Sequence, residues 1–175
     1  MVDFDAGTVT TIAERLFGEV GLPPAVAVTV AIDEATPMAR AQIESIDPAV
    51  IGVEGGALEN PKRIRQLSEA RVVDVLGLLF HQLRDRLDPT FGAPPVGDEL
   101  PLPHKVAWEV YAAGRVAALG YQAQRQRRLY HFRNRHGFTD AADAAFERLW
   151  TGRDLTWSEV AGLSDQAAAQ ATVTS

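Results

Sequence analysis

The densest group of residues that could do chemistry lies at positions 125–138, where the chain reads RQRRLYHFRNRHGF. On a helix, Arg127, His131 and Arg135 line up four residues apart. Guanidinium groups that converge beside an aromatic ring can hold a phosphate or a carboxylate, because each offers a planar fork of donors. The spacing therefore predicts an anion-binding cluster. Its candidate ligand-binding residues are Arg127, Arg128, His131, Arg133, Arg135 and His136.

The charge distribution leaves a second interpretation of this cluster open. The 175-residue chain has a net charge of −6, but residues 1–60 carry −8 and residues 103–138 carry +6. Ion pairs inside the molecule can neutralise the basic segment, and cations in the last turn of a helix also complement the helix dipole. The cluster is predicted either to pair with residues 1–60 or to remain free for a ligand.

A second candidate site is centred on His81. If the segment is helical, three carboxylates lie on the same side of the helix as His81, namely those of Asp74, Asp85 and Asp88. We call this side the His81 stripe. A histidine with an acid four residues on, as in His81 and Asp85, can chelate a metal ion. The stripe lies almost opposite to the apolar face of the helix. A solvated surface is therefore the alternative expectation.

The elements around His81 are a helix, two strands near a glycine-rich turn, and an apolar helix that holds the histidine. Over residues 5–90 this order resembles the layout of small zincin-like metallopeptidases. That family binds zinc through H-E-x-x-H, with the glutamate as base. The resemblance implies a zinc cofactor with His81 as first ligand and Asp85 as second. Gln82 stands where the family has its glutamate and cannot take a proton from water, so a non-hydrolytic relative is implied rather than a protease.

Other catalytic chemistries lack their residues. The chain has no cysteine, which excludes disulfides, thiolate nucleophiles and cysteine-ligated zinc. Neither a G-x-S-x-G elbow nor a phosphate-binding glycine loop occurs, and no catalytic residue is assigned. We therefore expect a non-enzymatic binding or regulatory protein whose partner is an anionic small molecule or a protein.

Two alternatives to this function remain. The first is a metal-dependent hydrolase or degenerate zincin-like protein that uses His81. The second is a nucleic-acid-binding protein that uses residues 125–135, which predicts affinity that falls steeply with salt. The net charge of −6 disfavours nucleic acid and also disfavours a polybasic membrane anchor.

The first half of the chain is predicted to mix helix and strand. A helix over residues 5–20 ends at a glycine, and strands follow at residues 25–34, 41–47 and 50–56, of which the second is short or irregular. Asn60 with Pro61, or alternatively Ser68, can begin the next helix, which runs to about Leu87.

The second half is predicted to be helical. Residues 88–103 form a Pro/Gly-rich connection, and residues 104–136 form one or two helices that small residues keep thin in the middle. Thr139 or Asp140 caps a short helix. Thr156 and Glu159 form a capping box before the last one.

Together these patterns predict an α+β, helix-dominated single domain, in which a small N-terminal sheet of two or three strands packs against long amphipathic helices. Its N-terminal α/β part covers residues 1–90 and its helical part residues 104–175. The N-terminus lacks the basic region of a signal peptide, and the apolar runs are shorter than the roughly 20 residues that cross a bilayer. We expect a cytoplasmic protein whose oligomeric state the sequence does not indicate.

Overall fold

The fold divides at Leu87 into two units, Met1–Leu87 and Asp88–Ser175. The computed structural model describes residues 5–60 and 62–173. The first unit holds two helices and all the strands, and the second is helical apart from its connections. The predicted α+β, helix-dominated fold class is confirmed.

The first unit contains two long helices, a three-stranded sheet and a two-stranded hairpin. In chain order its elements are α1 Ala6–Val20, β1 Val28–Asp33, β2 Ala41–Ile46, β3 Ala49–Glu54, β4 Glu59–Asn60, β5 Arg63–Leu67 and α2 Glu69–Leu87. Asp5 caps α1 by accepting a hydrogen bond of 3.0 Å from the backbone N–H of Gly7. Gly21, with φ of 75°, ends the helix in the left-handed conformation.

The sheet has the strand order β1-β3-β2, with β1 parallel and β2 antiparallel to β3. The inner face of β3 is buried, and α2 packs against both α1 and β2. The register of β2 shifts between Ile43 and Ser45. This bulge confirms the predicted irregular strand.

The predicted helix start at Asn60 is wrong, because Asn60 belongs to β4, which pairs antiparallel with β5. The side-chain oxygen of Asn60 accepts a hydrogen bond of 2.9 Å from the N–H of Lys62, which makes a turn rather than a helix cap. Pro61, the other half of that prediction, lies outside the described residues. The alternative start at Ser68 is confirmed, since α2 begins at the next residue.

The second unit is built from four helices, α3 Leu102–Ala118, α4 Arg125–His136, α5 Asp140–Thr151 and α6 Trp157–Val173. The first of them, α3, packs against the other three. Aromatic side chains fill the core between them, among them Trp108, Tyr111, Phe132 and Phe146. The segment predicted as one or two helices is two, because the chain turns at Gly120 with φ of 93°.

Side-chain caps fix the ends of the later helices as predicted. Thr139 Oγ1 accepts from the N–H of Ala142 at 3.1 Å. The N–H of Thr156 donates to Glu159 Oε2 at 2.8 Å, and that of Glu159 donates back to Thr156 Oγ1 at 3.4 Å. Across the described part of the chain, every helix is too short or too polar to span a membrane.

Candidate functional site

The predicted anion-binding cluster lies mostly on α4, which holds five arginines and two histidines. Phe132 and His136 point into the core of the second unit, whereas Arg127, His131 and Arg135 are exposed. The exposed three follow one another at four-residue spacing, as the helical period requires. The structure thus divides the predicted cluster between two sides of one helix.

His136 belongs to the core and is only 1% exposed. Its Nδ1 lies 2.9 Å from the carbonyl oxygen of Phe132, and its Nε2 lies 2.7 Å from Oγ of Ser164, which is fully buried. A carbonyl can only accept, so Nδ1 carries the proton and Nε2 accepts from the serine hydroxyl. Burial lowers the pKa of His136 and keeps the ring neutral. This residue joins α4 to α6 and is out of reach of a ligand.

Two arginines of α4 are used to join it to α5. Arg133 forms a two-pronged ion pair with Asp143, with nitrogen–oxygen distances of 2.7 and 2.5 Å. This pair holds the pKa of the Asp143 carboxyl below its usual value. Arg125 forms a second hydrogen-bonded ion pair, with Glu147 of α5. Both acids belong to the second unit, so folding of that unit accounts for these two cations.

Arg128 has an intermediate position at the edge of the exposed side. Its Nε donates to the carbonyl oxygen of Ala123 at 3.0 Å. Glu109 of α3 interacts electrostatically with Lys105, Arg128 and His131. Burial raises the pKa of Glu109 and outweighs the opposite effect of these cations. Burial thus disfavours the charged carboxylate of Glu109, although basic side chains of α3 and α4 lie near it.

Arg127 and Arg135 differ from the paired arginines. Within residues 5–60 and 62–173, neither of them forms an ion pair with a carboxylate. Arg127 only donates to the side-chain oxygen of Gln124 at 3.3 Å. Both guanidinium groups are thus available to an anion that approaches from solvent.

Two exposed aromatic rings belong to α4 or to the residues just after it. Tyr130 is 59% exposed and Phe138 is 64% exposed, and their ring centroids are 6.1 Å apart. The ring of His131 lies 6.3 Å from that of Tyr130. We call Arg127, Tyr130, His131, Arg135 and Phe138 the α4 exposed face.

The second predicted site, around His81, is not on the surface. His81 and Asp85 are each 4% exposed, and Asp74 is also buried, because protein covers the polar side of α2 as well as its apolar side. The expectation of a solvated stripe was therefore wrong for these three residues. In the described ranges, no three histidine, aspartate or glutamate side chains group closely enough to hold a metal ion. A zinc site that uses His81 and Asp85 therefore has no third protein ligand among the described residues.

Three features were not predicted from the sequence. They are the position of Glu109 near the cations of α4, the exposure of Phe138, and the hydrogen bond between His136 and Ser164. Ser164 shares the buried stripe of α6 with Val160 and Ala167, at spacings of four and three residues. A serine on an apolar stripe needs a buried partner, and this signal was available in the sequence. Glu109 is the single acid of residues 103–138, but only the fold shows which cations it faces.

Comparisons of the chain with family models, with curated proteins and with solved structures found no match. Function is accordingly inferred from the residues of α4 themselves.

Proposed function

We propose that the protein is a non-enzymatic binding protein that recognises an anionic group on the α4 exposed face. The observation that carries this proposal is the contrast within one helix. Arg125 and Arg133 are paired with acids of α5, whereas Arg127 and Arg135 have no such partner among the described residues. Pairing inside the second unit therefore does not account for Arg127 and Arg135, and their guanidinium groups can contact an anion.

Helix electrostatics strengthen the case for Arg127. The first turn of α4 carries Arg125, Arg127 and Arg128 and no acid. Positive charge near a helix N-terminus is unfavourable by about 0.3–1 kcal/mol per group. The N-cap residue of this helix, Gln124, adopts the left-handed conformation with φ of 48°. Its side chain does not accept a hydrogen bond from a backbone N–H of the first turn. A bound anion would offset both the repulsion and the missing cap.

A catalytic role has less support. Ser164 and His136 are hydrogen-bonded as a nucleophile and a base would be, but both are sealed in the core. A substrate could not reach the serine oxygen without opening α4 from α6. Binding without chemistry is therefore the function that the exposed residues support.

The test is a calorimetric titration with sodium tripolyphosphate at low salt. The double variant Arg127→Ala/Arg135→Ala should bind about tenfold more weakly than the wild type, because two charge-assisted contacts are lost. The matched control Arg63→Ala/Arg148→Ala removes two exposed arginines from β5 and α5 and should change the affinity by less than about twofold. Equal losses in the two double variants, or no binding by the wild type, would contradict the proposal.

A further inference from the structure

Tyr130 and Phe138 are large apolar rings that face solvent although the same helix buries others. Phe132 fills the core side of α4 and stacks on His136 with centroids 3.9 Å apart. Phenylalanine in a folded protein is most often buried, since an exposed ring forgoes the free energy gained by burying its apolar surface. Tyr130 and Phe138 contact each other, and the Arg133 guanidinium lies 6.0 Å from the centroid of the Phe138 ring, yet both residues stay more than half exposed.

The basic and aromatic side chains of the α4 exposed face follow a regular order along the helix. Arg127, His131 and Arg135 follow one another along the helix at about 6 Å per step, since four residues rise by that amount. Arg127 and Arg135 are two such steps, about 12 Å, apart, which is close to twice the separation of successive phosphates along an extended single strand. The Tyr130 ring lies directly beside the middle of the row, with its centroid 6.3 Å from that of His131. Phe138 extends the aromatic surface beyond the end of the helix.

We infer that the anionic ligand is a single-stranded nucleic acid, whose phosphates contact Arg127 and Arg135 while its bases stack on Tyr130 and Phe138. This inference rests on the proposed function of the same surface. Base stacking on aromatic side chains combined with a positively charged track is the usual way in which proteins hold a single strand. Each base has a π-face, so the binding is expected to tolerate different sequences.

The other polyanions fit this surface less well. In a duplex the base faces are stacked on one another and cannot reach Tyr130. An acidic peptide offers carboxylates to Arg127 and Arg135, but it need not carry a ring for the two aromatic side chains. The net charge of −6 does not oppose the inference, because salt screens charges farther away than about 8–10 Å.

The experiment compares four probes by calorimetry on the full chain. They are a thymidine oligonucleotide of about ten nucleotides, a uridine oligonucleotide of the same length, an abasic strand with the same number of phosphates, and polyglutamate of matching charge. An oligonucleotide with bases should bind at least about tenfold more tightly than the abasic strand. A preference between thymidine and uridine strands then tells DNA from RNA.

Three variants test which residues are used. Tyr130→Ala/Phe138→Ala should lower the affinity for the thymidine strand to that of the abasic strand, and Tyr130→Trp/Phe138→Trp should retain it because tryptophan also stacks. The matched control Leu102→Ala/Leu119→Ala removes two exposed apolar side chains of α3 and its end and should have little effect. Arg127→Ala/Arg135→Ala should make the salt dependence of log K shallower by about 1.4.

The two possible failures are distinguishable. If neither tripolyphosphate nor any of the four probes binds, both the proposed function and the inference are wrong; if tripolyphosphate alone binds, only the inference is wrong. If the abasic strand and polyglutamate bind as tightly as the thymidine strand, anion binding stands, the inference is overturned, and the partner is an acidic protein segment. Loss of tight binding in Tyr130→Ala/Phe138→Ala alone, with a native circular dichroism spectrum, supports the inference.

Discussion

His131 and His136 lie five residues apart on one helix and have opposite surroundings. His131 is exposed beside Tyr130, whereas His136 is enclosed between Phe132 and Ser164. From the sequence both were candidates for the same site, because a helical wheel places residues on faces but does not show which face is covered. Phe132 is a usable signal, because an apolar side chain on a helix is expected to point into the core and His136 is four residues later on the same side.

Stability should fall as the pH drops below about 6.5, because of His136. Its pKa is lowered in the folded state, chiefly by burial, so in this range the unfolded chain binds a proton that the folded protein does not. The stabilisation is complete above the ordinary histidine pKa and is lost progressively toward the lower folded pKa. The measurement is the free energy of unfolding by urea between about pH 8 and pH 5.

The variant His136→Gln provides the control for this pH dependence. Glutamine can still donate and accept within the core, but it does not titrate. The loss of stability on acidification should therefore be smaller in the variant than in the wild type. His104 and Asp165, whose Nε2 and Oδ1 atoms lie 2.6 Å apart, remain in both proteins. The same acid slope in both would mean that His136 is not responsible.

At the level of elements, α3 and α5 approach each other closely at a glycine. A Cβ at Gly114 would lie 2.1 Å from the carbonyl oxygen of Trp150. Gly114→Ala should therefore lower the free energy of unfolding by about 1–2 kcal/mol, since overpacking outweighs the gain in helix propensity. Gly162→Ala in α6, where a Cβ would meet nothing within 4 Å, should raise it by about 0.5–1 kcal/mol. Chemical denaturation measures both changes.

Opposite signs in the two glycine variants are the essential result. If Gly114→Ala were as stable as Gly162→Ala, the two helices would have to be farther apart at Trp150 than the structure places them.

The N-termini of helices were predictable from the sequence where a capping residue precedes them. The β4–β5 hairpin was not predictable. Thr139 and Thr156 hydrogen-bond as their residue types indicate. The β4–β5 hairpin is short, its periodicity is weak, and Asn60 favours a turn as readily as a helix start. The thin middle of α3 was also predictable, because Gly114 lowers the helix propensity of an alanine-rich segment, which a close approach of another element accounts for.

For the whole molecule, net charge is a poor guide to what α4 does. The chain carries −6 in total, yet α4 has five arginines and no acid. Sequence arithmetic could show that residues 103–138 are basic, but it could not assign partners. Folding brings Glu147 to Arg125 and Asp143 to Arg133, although these residues are 22 and 10 positions apart. The predicted pairing of the basic segment with residues 1–60 stays a prediction.

The central claim is that anions bind to the α4 exposed face. Its most direct test is a tripolyphosphate titration of isotope-labelled protein, followed by two-dimensional amide NMR. The account predicts that the largest chemical-shift changes fall on residues 124–138, with the side-chain signals of Arg127 and Arg135 moving in step with them. Changes of similar size spread over both units, or concentrated in residues 5–60, would contradict it.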